Sequence, residues 1–115
     1  MSQQEFEWMY FGKFQESVLR WADERNLIEG STPKDQFHKL VQEVAELSDS
    51  ICKGRCAKDD IGDCFVVLII MCEQLGLDIG ECFAKAWNDI KDRKGKMVDG
   101  VFVKESDLEQ ELPDS

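Results

Sequence analysis

Proline is scarce in this chain. Only Pro33 and Pro113 occur in 115 residues, so no pyrrolidine ring interrupts the long stretch between them. Histidine is scarcer still, with His38 alone. One imidazole cannot supply the Glu-x-x-His pairs of a carboxylate-bridged di-iron bundle. It also gives no zinc-like spacing with the cysteines, among which there is no Cys-x-x-Cys pair. A basic excess is missing too: 24 acids face 14 bases, a formal net charge of −10. A nucleic-acid binder takes most of its affinity from neutralising phosphates, so that class is excluded. The longest apolar run, Cys64 to Cys72, is far short of a membrane span. The first ten residues lack a basic segment followed by an apolar one, so no signal peptide is expected.

What remains fits a water-soluble globular chain, with 43% hydrophobic and 33% charged residues. The length argues for one domain. At this size folding buries roughly two-thirds of the unfolded surface, so a monomeric core is thin. The five cysteines, Cys52, Cys56, Cys64, Cys72 and Cys82, read as reduced thiols of a cytoplasmic protein, mostly buried.

Apolar spacing predicts four helices. The first covers residues 4–28, carried by Phe6, Met9, Tyr10, Phe14, Val18, Trp21 and Leu27, with Gly30 as its stop. The second opens at Ser31-Thr32-Pro33 and runs to about Cys52, with Leu40, Val44, Leu47 and Ile51 as the inward stripe. The third starts near Asp59 and ends at Gly76, with Ile61, Phe65, Leu68, Cys72 and Leu75 on one face. It is apolar all round, which requires enclosure by its own domain or a second subunit, so a homodimer or homotetramer is expected. A fourth helix, from Ile79 to Arg93, is expected to turn Cys82, Phe83, Ala86 and Ile90 inward, with Asp78 as its cap. Residues 97–103 alternate about Asp99-Gly100, a hairpin signal. The fold class is therefore all-α, a bundle of four to five helices with a short C-terminal β-hairpin. Residues 1–104 form the domain, and the acidic tail 105–115 is expected to be flexible.

Acids carry the chemistry. Glu43 and Glu46 stand three apart on one helix face, and Asp60 and Asp63 repeat the spacing at the start of the next. In a chain this acidic, either pair alone is close to background. Together they are in register. Glu43 lies as far before residue 53 as Asp63 lies after it, and Glu46 matches Asp60 in the same way. A helical hairpin folded there brings all four to similar heights. Clustered carboxylates repel unless a cation holds them, and hard oxygen ligands suit Mg²⁺, with Mn²⁺ as the alternative.

The run Gln42-Glu43-Val44-Ala45-Glu46-Leu47, followed by Asp59-Asp60-Ile61-Gly62-Asp63, resembles the MazG-like nucleotide pyrophosphohydrolases of the all-α NTP pyrophosphatase superfamily. Their signature is ExxE, a spacer of a dozen or more residues, then ExxD; here the spacer is 47–59. The similarity continues through the apolar third helix and the segment from Ala86 to Gly95, and covers roughly residues 17–104. One position departs: Asp60 stands where the family has Glu. Its carboxylate is one methylene shorter, which leaves its exact role open.

The resemblance implies Mg²⁺-dependent hydrolysis of a (deoxy)nucleoside triphosphate to the monophosphate and pyrophosphate, with Glu43, Glu46, Asp60 and Asp63 as metal ligands. Glu46 is the candidate general base, since a carboxylate beside a cation-activated water can accept its proton. The resemblance also places substrate contacts on the fourth helix, at Asn88 and Lys91. Gln36 is a candidate for a base or sugar contact. Trp21 is a candidate for base stacking, although a Trp at this spacing is more often core. Lys53, Arg55 and Lys58 could approach phosphates or simply be solvated. Arg93, Lys94 and Lys96 complement a helix C-terminus. Two alternatives stay open: a phosphoribosyl-ATP or narrow dNTP-specific pyrophosphohydrolase, and a non-enzymatic helical oligomer that binds nucleotides or a partner.

Overall fold

A computed structural model describes residues 2–111, with side chains described except for residues 4–9 and 109–111. Its order is α1 (Gln3–Glu24), α2 (Pro33–Cys52), α3 (Lys58–Gln74), α4 (Ile79–Ile90), β1 (Gly95–Val98), β2 (Val101–Lys104) and α5 (Glu105–Glu111). The protein is mostly helical, with a two-stranded antiparallel sheet. It divides into two compact units, Met1–Ile79 and Gly80–Ser115. Among the described residues, no helix is long and apolar enough to cross a membrane.

In the first unit, α1 and α2 both pack on α3. Helix α1 stops at Glu24, earlier than its apolar spacing suggests. Asn26 takes a left-handed conformation with φ 58°, which ends the helical path, and Asn tolerates that region better than most residues. Leu27 and Ile28 therefore belong to the turn. The start of α2 follows its local signals closely. Thr32 Oγ1 accepts from the Asp35 amide at 3.1 Å, and the Asp35 carboxylate accepts from the Thr32 amide at 2.9 Å. This reciprocal cap satisfies two amides that the first turn leaves without helical partners, a contribution of about 1 kcal/mol.

The buried faces differ from the expected ones. On α2 the inward positions are Gln36, Glu43 and Ser50, all buried, with Leu40 and Leu47 half-buried between them. That heptad-like row faces α3. The neighbouring row, Phe37, Val41, Val44 and Ile51, is exposed, with Ile51 at 63%. Half of the stripe expected to face inward thus faces out, because the row that meets α3 is the one that carries the acids. On α3 the buried residues are Val67, Ile69 and Ile70, whereas Ile61, Phe65 and Leu75 of the expected inner face are exposed. Phe65 still meets Phe11 of α1 edge-on, with ring centroids 6.3 Å apart. Gln15 of α1 donates to Asp78 at 2.9 Å.

In the second unit, β1 and β2 pair with Met97 opposite Phe102 and Val98 opposite Val101. The two-residue turn places Asp99 at φ 50° and Gly100 at φ 82°, the left-handed pair that matches the twist of a hairpin. Helix α4 ends at Ile90 rather than Arg93. Cys82, Phe83, Ala86 and Ile90 are exposed, not inward. The segment after the hairpin is helical as α5, where the sequence suggested a flexible tail; residues 112–115 lie outside the described ones. None of the five cysteines is in a disulfide, and Cys52, Cys56 and Cys82 are exposed rather than buried.

Candidate acid site beside an apolar cleft

The first unit brings the two acid pairs into one electrostatic group. Glu43 sits on the buried row of α2, at 7% exposure. Glu46 is exposed one turn further on, and Asp60 and Asp63 are half-buried at the start of α3. Lys39, one turn before Glu43, donates to its Oε1 at 3.2 Å. Oε2 of Glu43 is buried and meets no donor. Leaving one oxygen of a buried carboxylate without a partner is costly.

The repulsion is visible in the titration of its neighbours. Glu46 is held above its ordinary value, first by the negative charge of Glu43, then by a hydrogen bond shared with that carboxyl, then by desolvation; Asp60 adds to this and Lys39 opposes it. Asp63 is also raised, by desolvation first and then by Asp59, Glu43 and Asp60. The same desolvation and the same acids push the Cys64 thiol up, so it stays protonated and is a poor nucleophile. Among the described residues, no three His, Cys, Asp or Glu side chains converge closely enough to hold one ion. The acids interact pairwise instead. A divalent cation fits this donor set chemically: it meets an orphaned carboxylate oxygen and relieves the like-charge repulsion.

These shifts have a consequence for stability. Glu46 and Asp63 hold a proton more tightly in the folded state than in the unfolded chain. Stability therefore falls as pH rises from the ordinary carboxylate range through their raised values. Asp35 and Asp49 act oppositely. The Thr32 cap lowers Asp35, and Lys53 then Arg55 lower Asp49. Their contribution is present above the ordinary value and is lost as pH falls through the depressed ones. The protein in chelator is thus expected to melt highest at mildly acid pH and lower at neutral pH, and a cation held by these acids would restore the loss only at neutral pH. Scanning calorimetry with chelator and with Mg²⁺ checks this; a melting temperature that climbs steadily to neutral pH in chelator would contradict it.

Two clefts flank the acids. One, of about 300 Å³, is lined by Trp21, Leu27, Gln36, Lys39, Glu43, Asp63, Val66, Val67 and Ile70. Its walls are apolar and its charged groups gather where Glu43, Asp63 and Lys39 meet. The other, of about 510 Å³, is lined by Gln42, Ala45, Glu46, Asp49, Ser50, Arg55 and Asp60.

Of the residues singled out from the sequence, Glu43, Glu46, Asp60, Asp63, Gln36 and Trp21 all border these clefts. Trp21 is not core: it is 45% exposed, with the Arg25 guanidinium 4.8 Å from its ring centroid. Asn88 and Lys91 belong to the second unit. There Asn88 lines a depression with Arg93, Lys94 and Lys104, and Lys91 lies exposed just past the end of α4. Lys53 and Arg55 both bind Asp49, at 3.0 and 2.5 Å, so part of the loop charge is already neutralised. Two residues escaped the sequence reading. Lys39 was detectable from its i, i+4 spacing to Glu43. Asp49 was not, because its partner Arg55 lies beyond the helix end.

No family model matches this chain, and no solved structure matches it. It is 45% identical over 64 residues to an uncharacterized 18.2 kDa protein encoded in the rep-hol intergenic region of Haemophilus phage HP1. The match covers 54% of this chain and 39% of that protein's length.

Proposed function

We propose that the chain is a MazG-like, Mg²⁺-dependent nucleoside triphosphate pyrophosphohydrolase, acting in the cytoplasm as a homodimer or homotetramer. The observation that carries this reading is Glu43: a buried carboxylate with an oxygen that meets no donor, lining an apolar cleft together with Asp63, with Glu46 and Asp60 on the neighbouring cleft. That arrangement suits a cation chemically and has an apolar cleft beside it for a flat ring. The acid spacing of the sequence supports the same assignment.

Glu43, Glu46, Asp60 and Asp63 would supply the carboxylates that meet the ion, in pairs rather than as one converging set. When bound, a divalent cation neutralises phosphate oxygens and makes water more acidic. Glu46 is the exposed acid of the group, and its raised affinity for protons suits a general base that takes one proton from the attacking water. Water oxygen bonds to the α-phosphorus, the α–β anhydride bond breaks, and pyrophosphate leaves. Lys39 reaches the same region and offers a positive charge to the phosphates. The apolar walls of the smaller cleft exclude water from the ring.

The test is pyrophosphate release from a panel of ribo- and deoxyribonucleoside triphosphates with Mg²⁺, alongside Glu46→Gln. Turnover by the natural protein and a large loss in the variant are expected. Folded protein that turns over no nucleotide would favour the non-enzymatic binding reading, and full activity in Glu46→Gln would remove that residue from the mechanism.

A further inference from the structure

We infer that Gln36 is the specificity-determining residue of the apolar cleft, selecting nucleobases that present an exocyclic amine over those that present a carbonyl; this rests on the pyrophosphohydrolase reading. Gln36 is 8% exposed and lines the cleft. It lies seven residues before Glu43 on the same face of α2, about 10 Å along the helix. Opposite it on α3, Ile70 stands to Asp63 as Gln36 stands to Glu43. The cleft therefore has a charged end and an amide end, with Val66 and Val67 between. A nucleotide with its phosphates at the acids directs the far edge of its base toward Gln36.

The orientation of that amide is fixed by its neighbours. Ser31 has one hydroxyl proton and donates it to the Leu27 carbonyl oxygen at 2.5 Å. Its Oγ lone pairs then accept from Gln36 Nε2 at 2.9 Å and from Gln74 Nε2 at 3.0 Å. Gln74 is pinned in turn, because its Nε2 also faces the Ile28 and Ser31 carbonyl oxygens, both at 3.0 Å. Turning the Gln36 amide over would set its oxygen against an Oγ with no proton left to give. The nitrogen must therefore face Ser31, which directs Oε1 away from it. The side-chain hydrogen bond of Gln36 to Ser31 runs through Nε2, which leaves Oε1 for a ligand.

A locked acceptor discriminates by sign. An exocyclic amine donates to it. A carbonyl in the same place sets oxygen against oxygen, and the mismatch leaves both acceptors without a donor. Cytosine- and adenine-type bases present an amine to this acceptor; uracil- and hypoxanthine-type bases present a carbonyl at the same position. Ser31 and Gln74 are positioning residues in this scheme.

The experiment compares kcat/KM for CTP against UTP and for ATP against ITP, pairs that differ in this edge group. It is run on the natural protein, Gln36→Leu and Ser31→Ala, with calorimetric titration of CMP and UMP in Mg²⁺ beside it. The natural protein is expected to favour the amine partner by roughly tenfold or more. Gln36→Leu should bring the ratio close to one. Ser31→Ala, which frees the amide to turn over, should lower the ratio while Gln36 is still present. A loss of folding would move both partners of a pair together and leave their ratio alone. An unchanged ratio in both variants, or a natural protein that favours the carbonyl partner, overturns the inference. CMP binding preferred over UMP without any turnover keeps the amine preference and sinks the hydrolase reading. Neither binding nor turnover sinks both.

Discussion

On the proposed pyrophosphohydrolase reading, replacing Glu43 with glutamine is expected to lower nucleotide turnover by roughly 10²–10³-fold, the scale of several kcal/mol of cation-derived stabilisation. The metal-free fold should stay at least as stable as before. The two halves of this expectation come from the same geometry. Glu43 is buried, with one oxygen held by Lys39 and the other without a donor. A charge in that position is a liability for folding, since removing a poorly compensated buried charge is often neutral or stabilising. It also repels Glu46 and Asp63. Glutamine keeps the shape, removes the charge, and relieves both neighbours. Steady-state kinetics with Mg²⁺ and thermal unfolding in chelator check the two halves together. A purely structural Glu43 would behave in reverse: lower stability in chelator and turnover within a few-fold of the natural protein.

The second large effect concerns self-association. Natural protein is expected to sediment as a dimer or larger at micromolar concentration, and Val44→Glu combined with Ile51→Lys is expected to yield monomer. Phe37, Val41, Val44 and Ile51 form one row along α2 and are 53%, 53%, 49% and 63% exposed. Their spacing is the heptad-like one that packs helix on helix. Each large apolar side chain moved fully out of water contributes on the order of 1.5–3 kcal/mol, so a row of half-exposed ones on each copy is a substantial drive. A contiguous apolar patch of this kind marks an interface on soluble proteins. The sequence pointed to α3 as the sticky element, and Ile61, Phe65 and Leu75 are exposed there; the α2 row is a second apolar surface. The substituted side chains stand at exposed positions, so the fold of one copy should tolerate them. Monomeric natural protein would refute this, and so would a variant that still associates.

Much of the fold was legible because its signals are local. Thr32-Pro33 with Asp35 marks the start of α2 within one turn, through bonds those residues make with each other. Asp99-Gly100 marks the hairpin because two adjacent residues must take positive φ. The acid pairs were legible for a related reason: register across a five-residue connection depends only on helical rise and on where the chain turns. The left-handed Asn26 was missed because apolar spacing ran on past it to Leu27. The length of α4 was overestimated in the same way.

Which face of a helix turns inward is a different kind of question. On α2 two rows lie side by side, one apolar and one mixed with acids, and hydrophobicity alone selects the apolar row. Tertiary packing selects the other, placing Gln36, Glu43 and Ser50 against α3 and leaving Val44 and Ile51 in solvent. The sequence by itself determined where the helices and the hairpin lie, and that four acids share one level. Only the tertiary structure decided that Glu43 is buried with an oxygen unmet, and that Ser31 and Gln74 lock Gln36. The physical reason is range: capping and turn chemistry act within a few residues of one another, whereas burial is set by a facing helix, and Gln74 reaches Ser31 from 43 positions away.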